Sequence, residues 1–182
     1  MKVTPLAIAG AWIIESPVYP DDRGIFREWF KSITLEENGI PAFEVRQANT
    51  SISKRGVIRG IHYSPEIIGQ TKLVTCTSGS VLDVVVDLRP ESKTYGDHIE
   101  VELSENLGTC VYISSGLGHG FQALEDNSVV TYLLDKEYSP NNEFGINPVD
   151  LNLNINWPIL EFFVSEKDRT STKFSRTNKG EL

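Results

Sequence analysis

Two of the three histidines in this 182-residue chain stand in glycine-punctuated surroundings: Gly56 precedes His62 by six positions, and Gly108 is followed by Ser114, Gly116 and His119. A neutral imidazole has an unperturbed pKa of about 6.5, so it gains and loses a proton near neutrality, and it is also a common metal ligand. Zinc-type sites take three or four protein or solvent ligands. The position two after His62 is Ser64, which leaves two imidazoles without the additional His or carboxylate such a site needs, although Glu66 is near in sequence. The general-base reading therefore outweighs the ligand reading. Alone, His62 in an apolar strand reads as a hydrogen-bonded structural residue, so its surroundings must decide.

Those surroundings alternate with period two, which places every second side chain on one face of a strand. Gln47 and Asn49 share a face with Val45, Lys72 with Val74 and Cys76, and Tyr132 with Val130 and Leu134. Any one of these faces reads first as solvated. Recurrence of an amide pair, a lysine and a tyrosine among apolar neighbours points instead to a polar-lined cavity whose groups a ligand would satisfy.

The elements expected to position these residues are mostly strands: Phe43 to Ser51, Val57 to Tyr63, Lys72 to Thr77, Ser80 to Leu88, His98 to Leu103, Thr109 to Ile113 and Val129 to Leu134. Leu6 to Ile14 reads as a first strand rather than a signal peptide, because one lysine precedes it and no small-residue cleavage site follows. The one helical stretch is Thr34 to Asn38, ended by Gly39. Short strands at this spacing, divided by Gly, Pro, Asn and Asp, predict an all-β antiparallel sandwich or barrel. The length suits one domain, residues 1–182, with a polar tail from about residue 169 expected on the surface. A net charge of −8 opposes binding to a nucleic-acid polymer, and no apolar run approaches the ~20 residues of a spanning helix, so no membrane role is expected. Cys76 and Cys110 each lie in an apolar stretch and read as buried thiols in a reducing compartment, the cytoplasm.

The two histidine spacings resemble the paired signature motifs of the cupin superfamily, whose fold is a small antiparallel jelly roll (double-stranded β-helix). Metal-binding cupins carry two histidines two apart in the first motif; here Ser64 interrupts that pattern. Around them stand Asp22-Arg23-Gly24 with Phe26 and Glu28, Gln47-Ala48-Asn49-Thr50-Ser51, Gly56-Val57-Ile58-Arg59-Gly60-Ile61-His62-Tyr63, and Gln70-Thr71-Lys72-Leu73-Val74. Further along come Gly79 through Arg89, Gly118-His119-Gly120-Phe121, Tyr138-Ser139-Pro140 with Glu143, and Ser165-Glu166-Lys167-Asp168. In this order, over about residues 2 to 170, the chain resembles the dTDP-4-dehydrorhamnose 3,5-epimerase family.

The resemblance implies a cofactor-independent isomerase acting on a dTDP-4-keto-6-deoxyhexose, with no metal. It makes His62 the base, Asp168 its partner, Lys72 the cation facing an enolate oxygen and Tyr132 the acid on the opposite face. By the same resemblance Arg23, Arg59 and Lys167 contact the diphosphate or sugar. Glu28, Gln47 and Asn49 contact the base and nearby groups, His119 and Glu143 complete the pocket, and Tyr138 stacks on thymine. Family members are homodimers, with the segment from Met1 to Ile14 a candidate for exchange. Ala48, Ser64 and Gly118 depart from the usual pattern toward a branch in which some enzymes invert one carbon only, so C3, C5 or both stay open. Asp83 and Asp87 read as structural. A ketoisomerase on the same nucleotide sugar, a metal-dependent cupin enzyme and a non-catalytic binder are the alternatives. One difficulty is internal: Arg59 and His62 differ in parity, so a regular strand would send them to opposite faces, and a bulge near Gly60 is required to re-aim one of them.

Overall fold

β-Branched residues and aromatics in short runs, cut by turn residues, leave the chain little alternative to sheets. In the computed structural model, which describes residues 1–41 and 43–176, they form two antiparallel sheets packed face to face. In chain order the elements are β1 (Lys2–Pro5), β2 (Ala11–Glu15), β3 (Val18–Asp21), β4 (Gly24–Arg27), α1 (Ser32–Glu37), β5 (Gln47–Ser53), β6 (Val57–Tyr63) and β7 (Lys72–Ser78). There follow β8 (Ser80–Asp87), β9 (His98–Ser104), β10 (Thr109–Ile113), β11 (Leu117–Ala123), β12 (Ser128–Leu134), β13 (Phe144–Gly145), β14 (Phe163–Val164) and α2 (Glu166–Arg169). One sheet runs β1-β2-β10-β7-β12-β5, and the other β13-β6-β11-β8-β9, with β14 laid parallel to β6. β3 and β4 form a separate hairpin.

Three apolar layers hold this arrangement. Val74, Cys76, Val111, Ile113 and Val130 of the first sheet meet Val81, Val85, Leu103, Leu117 and Phe121 of the second. The outer face of the first sheet is covered where Leu35, Ile40 and Phe43 pack on Ile14, Leu73, Cys110 and Tyr112. On the outer face of the second sheet, Ile146, Leu153, Trp157 and Phe174 of the C-terminal segment cover Ile58, Ile61, Val84 and Val86. Burial on both faces explains why β8 reads as a nearly continuous apolar run. Cys76 and Cys110 are free and buried, and burial pushes each thiol up to about 11.

Several expectations are corrected. The early segment is a β1–β2 hairpin with a turn through Gly10, not one strand from Leu6 to Ile14. β5 begins at Gln47 rather than Phe43, and Phe43 packs instead over the first sheet. The beginning of the polar tail is exposed at Arg169, Thr170, Thr172 and Lys173 and tied down at Phe174, which is 1% exposed; Ile146 bridges Thr172, and Arg176 pairs with Asp97. Residues 177–182 of that tail lie outside the described residues.

The anticipated bulge is present. His62 faces His119 across the β6–β11 ladder and Arg59 faces Phe121, so three steps along β6 match two along β11. Gly60 sits in the bulge with φ at 111°, a region open to glycine. A Cβ there would lie 2.5 Å from the His119 carbonyl oxygen and 2.6 Å from Gly120 Cα. The extra residue brings Arg59 and His62 to one cavity despite their opposite parity.

Candidate active site

A cavity of about 550 Å³ opens between the sheets at the end where β5, β12 and β7 approach β6 and β11. It gathers eleven of the thirteen residues expected there. His62, Lys72, Tyr132 and Asp168 line it together, as do Arg59 and His119. So do Gln47, Asn49, Tyr138, Glu143 and Lys167.

Asp168 reaches His62 from outside the sheet. Ser165 caps the short α2 by accepting the Asp168 backbone N–H at 3.1 Å, a serine three residues before an acid that marks a helix start in sequence. His62 Nε2 then lies 2.6 Å from Asp168 Oδ1. Burial pushes the Asp168 carboxyl up, but hydrogen bonds from His62, Ser165 and the Gly60 backbone outweigh it and hold it below its ordinary value. An ionised carboxylate only accepts, so Nε2 carries the hydrogen, and in the neutral ring the lone pair resides on Nδ1. That is the arrangement a general base requires.

A second histidine–carboxylate pair adjoins the first. His119 Nε2 lies 2.7 Å from Asp83 Oδ2, with both side chains buried. Asp83 Oδ1 is buried and, among the described residues, has no hydrogen-bond partner. Asp83, read from the sequence as structural, supports His119 from the neighbouring strand; its alternation with Val81 and Val85 sets an acid on an inward apolar face.

Lys72 is 8% exposed at the start of β7. Burial lowers its pKa, and the charges of Glu143 and Asp83 partly restore it. A buried ammonium of this kind gains most when negative charge develops beside it. Tyr132 stands opposite Asn49 on the β12–β5 ladder and opposite Val74 on β7, which keeps its ring at the cavity. Arg59 reaches across to β5, its Nε donating to Ser53 Oγ at 3.1 Å. Lys167 and Glu143 approach to 3.9 Å. Ser51, Gln70 and Ser165 also line the cavity and were not expected as site residues.

Arg23 and Glu28 are the two expected contacts that a single chain does not bring there. Both belong to the exposed β3–β4 region, where Arg23 is tied to Asp21 and Glu28 to Lys31. The hairpin projects Tyr19, Ile25 and Phe26 outward, each more than half exposed.

The family model of dTDP-4-dehydrorhamnose 3,5-epimerase matches residues 5–176. A dTDP-4-dehydrorhamnose 3,5-epimerase of Mycolicibacterium smegmatis is 43% identical over 92% of this chain and 83% of its own length. A dTDP-4-dehydrorhamnose 3-epimerase of Streptomyces niveus is 41% identical over 93% of this chain and 82% of its own. Among solved structures, ChmJ, a 3'-monoepimerase from Streptomyces bikiniensis in complex with dTDP-quinovose, superposes with a TM-score of 0.89 at 38% identity, covering 93% of this chain and 86% of that one. With a family match across nearly the whole chain and relatives above 40% identity, the chain belongs to the dTDP-4-dehydrorhamnose 3,5-epimerase family of cupin-like isomerases.

Proposed function

We propose that this chain epimerises a dTDP-4-keto-6-deoxyhexose at C3, C5 or both, through an enolate formed and quenched by its own side chains. Both carbons are α to the C4 ketone, so their protons are acidic enough for a positioned base. His62 Nδ1 removes the proton while Asp168 holds the ring and stabilises the imidazolium. Lys72 faces the developing oxyanion, where a preorganised cation in a water-poor cavity contributes about 3 kcal/mol. Tyr132 returns a proton to the opposite face and so inverts the centre. Proton transfer of this type needs no cofactor. Arg59 and Lys167 take the diphosphate, and Tyr138, half exposed at the cavity mouth, offers its ring to the base.

The observation that carries this reading is the His62–Asp168 pair at 2.6 Å inside a cavity that also holds Lys72 and Tyr132. Arg23 and Glu28 enter it through a second copy of the chain, whose cavity the exposed hairpin would reach in a homodimer. Such a dimer would cover Tyr19, Ile25 and Phe26, and sedimentation at micromolar concentration should show twice the monomer mass. The two buried free thiols favour a reducing compartment, the cytoplasm. The test of the chemistry is incubation with dTDP-4-keto-6-deoxyglucose in deuterated water, followed by NMR. Deuterium at C3, at C5 or at both is expected. No label at either carbon would remove the enolate mechanism, and a moved carbonyl would make the chain a ketoisomerase.

A further inference from the structure

Lys72, the cation of the proposed enolate site, is fastened at its backbone alone. It feels the charges of Glu143 and Asp83, yet among the described residues its Nζ makes no hydrogen bond and no ion pair. A long side chain with no bond at its tip points where its backbone and the cavity wall send it, so the ammonium is only as well placed as the main chain beneath it. Lys72 is nevertheless the first residue of β7, and the ends of elements are where local opening is easiest.

The regular ladder between β7 and β12 stops at that point, with Lys72 opposite Leu134 as its last pair. The two residues after Leu134 continue it with side chains. Asp135 accepts the Thr71 N–H on Oδ1 at 2.7 Å and donates its own N–H to the Thr71 carbonyl oxygen at 3.3 Å, so both main-chain groups of Thr71 end on one residue. Lys136 repeats the device one step further out: its Nζ donates to the Gly69 carbonyl oxygen at 2.8 Å, and its carbonyl oxygen accepts from Gln70 Nε2 at 3.0 Å. Residues 69–71, which lead into Lys72, are thereby clasped to residues 135–136, which follow the strand of Tyr132. The shortest of these bonds, and the one whose acceptor is a carboxylate, belongs to Asp135 and falls on the residue next to Lys72.

We infer that Asp135 is a positioning residue: its hold on Thr71 fixes the start of β7 and so keeps the Lys72 ammonium where the enolate oxygen forms, with Lys136 as a second, weaker fastening; this rests on the reading of the cavity as an enolate-forming site. Neither Asp135 nor Lys136 lines the cavity, so neither touches the substrate directly. Because β7 carries the cation and β12 the acid, the clasp also sets the spacing of Lys72 from Tyr132, and that spacing must match the distance from the C4 oxygen to the face being protonated.

The experiment is a double-mutant cycle on the rate of solvent deuterium incorporation into dTDP-4-keto-6-deoxyglucose, followed by NMR, for wild type, Asp135→Ala, Lys72→Met and the double variant, each checked for folding by thermal melting. Asp135→Ala should lower the rate at saturation about 10-fold, less than the about 10²-fold that a displacement of about 1 Å can cost, while KM changes by less than about twofold. In the Lys72→Met background, itself about 10²-fold slower, the same substitution should cost less than about twofold, since the ammonium it positions is gone. Asp135→Asn, whose amide oxygen still accepts the Thr71 N–H, should return to within about twofold of wild type. If Asp135→Ala does not fold, the exposed Lys136→Met goes through the same cycle, with a loss of about threefold expected in wild type and none beside Lys72→Met. Equal losses in the two backgrounds, a loss in KM alone, no loss at all, or an Asp135→Asn as slow as Asp135→Ala would each overturn the inference. No deuterium incorporation by the wild type would instead remove the underlying reading of the cavity, an outcome visible in the first arm alone.

Discussion

The two histidine–carboxylate pairs stand side by side on one ladder and are built almost alike. His62 and His119 are direct cross-strand partners, and each commits Nε2 to an aspartate, at 2.6 Å and 2.7 Å. They differ in access and in where the carboxylate comes from. The His62 side chain is 29% exposed and its aspartate arrives on α2, outside the sheet; the His119 side chain is 9% exposed and its aspartate sits on the neighbouring strand β8, with no exposure at all. A histidine–carboxylate pair is therefore not in itself a base. In the reaction proposed above the base needs an accessible ring nitrogen, and of the two pairs His62–Asp168 combines the greater exposure with a carboxylate held below its ordinary value by several donors.

The comparison breaks if removing either histidine has the same effect. His62→Ala should lower kcat by about 10³-fold, within the range for a lost general base, and abolish incorporation of solvent deuterium into substrate. His119→Ala should act mostly through KM and leave exchange detectable by NMR. Next in size is the orienting carboxylate. Asp168→Asn should lower kcat by about 10²-fold, because an amide no longer fixes the ring tautomer. Asp83→Asn should cost about tenfold in kcat/KM by the same steady-state assay. If Asp83→Asn proves the more damaging, the roles of the two pairs are reversed.

Much of this site was readable from residue order alone, for reasons that are local. Alternation on β7 and β12 predicts that Lys72 shares a face with Val74 and Cys76, and Tyr132 with Val130, and those faces do turn inward. The span Val57–Tyr63 agrees with β6 to the residue, and the parity conflict within it foretells the bulge at Gly60. β11 went unforeseen because Leu117–Ala123 carries two glycines, poor strand formers. Their reason is non-local: a Cβ at Gly118 would meet Ile61 at 2.6 Å, and one at Gly120 the Arg59 carbonyl oxygen at 2.8 Å. Likewise the His119–Asp83 pair depends on which strands become neighbours, and no spacing within one strand reports that.

The bulge offers a smaller test of the same contrast, since it shapes the His62 side of the ladder and not the His119 side. Gly60→Ala combines a positive φ with clashes against backbone atoms that cannot swing away. It should cost about 3 kcal/mol by urea denaturation and lower activity in the molecules that remain folded. Gly118→Ala meets only the side chains of Ile61 and Leu88, which can shift, and should cost about 1 kcal/mol. Equal costs would mean that the bulge is no more constrained than the regular ladder beside it.

Asp87 supplies a carboxylate that shares the burial of Asp168 and lacks its access to the cavity, and so separates stability from chemistry. Burial pushes its carboxyl up, but bonds from Arg89, Ser92 and Thr94 outweigh that and hold it at about 2. A folded-state value below the unfolded one, about 3.9, means that the stabilisation is fully present above pH 4 and is lost as the pH falls toward 2. The shift corresponds to roughly 2–3 kcal/mol. Asp87→Asn should therefore lose about that much stability at pH 7, show a flatter decline between pH 4 and pH 2.5 in urea titrations, and keep the wild-type kcat at neutral pH. Asp168→Asn should do the reverse, with a large loss of kcat and a smaller change in the acid limb. A loss of kcat in Asp87→Asn would show that the end of β8 remote from the cavity still governs the chemistry, and the division drawn between accessible and buried carboxylates would then fail.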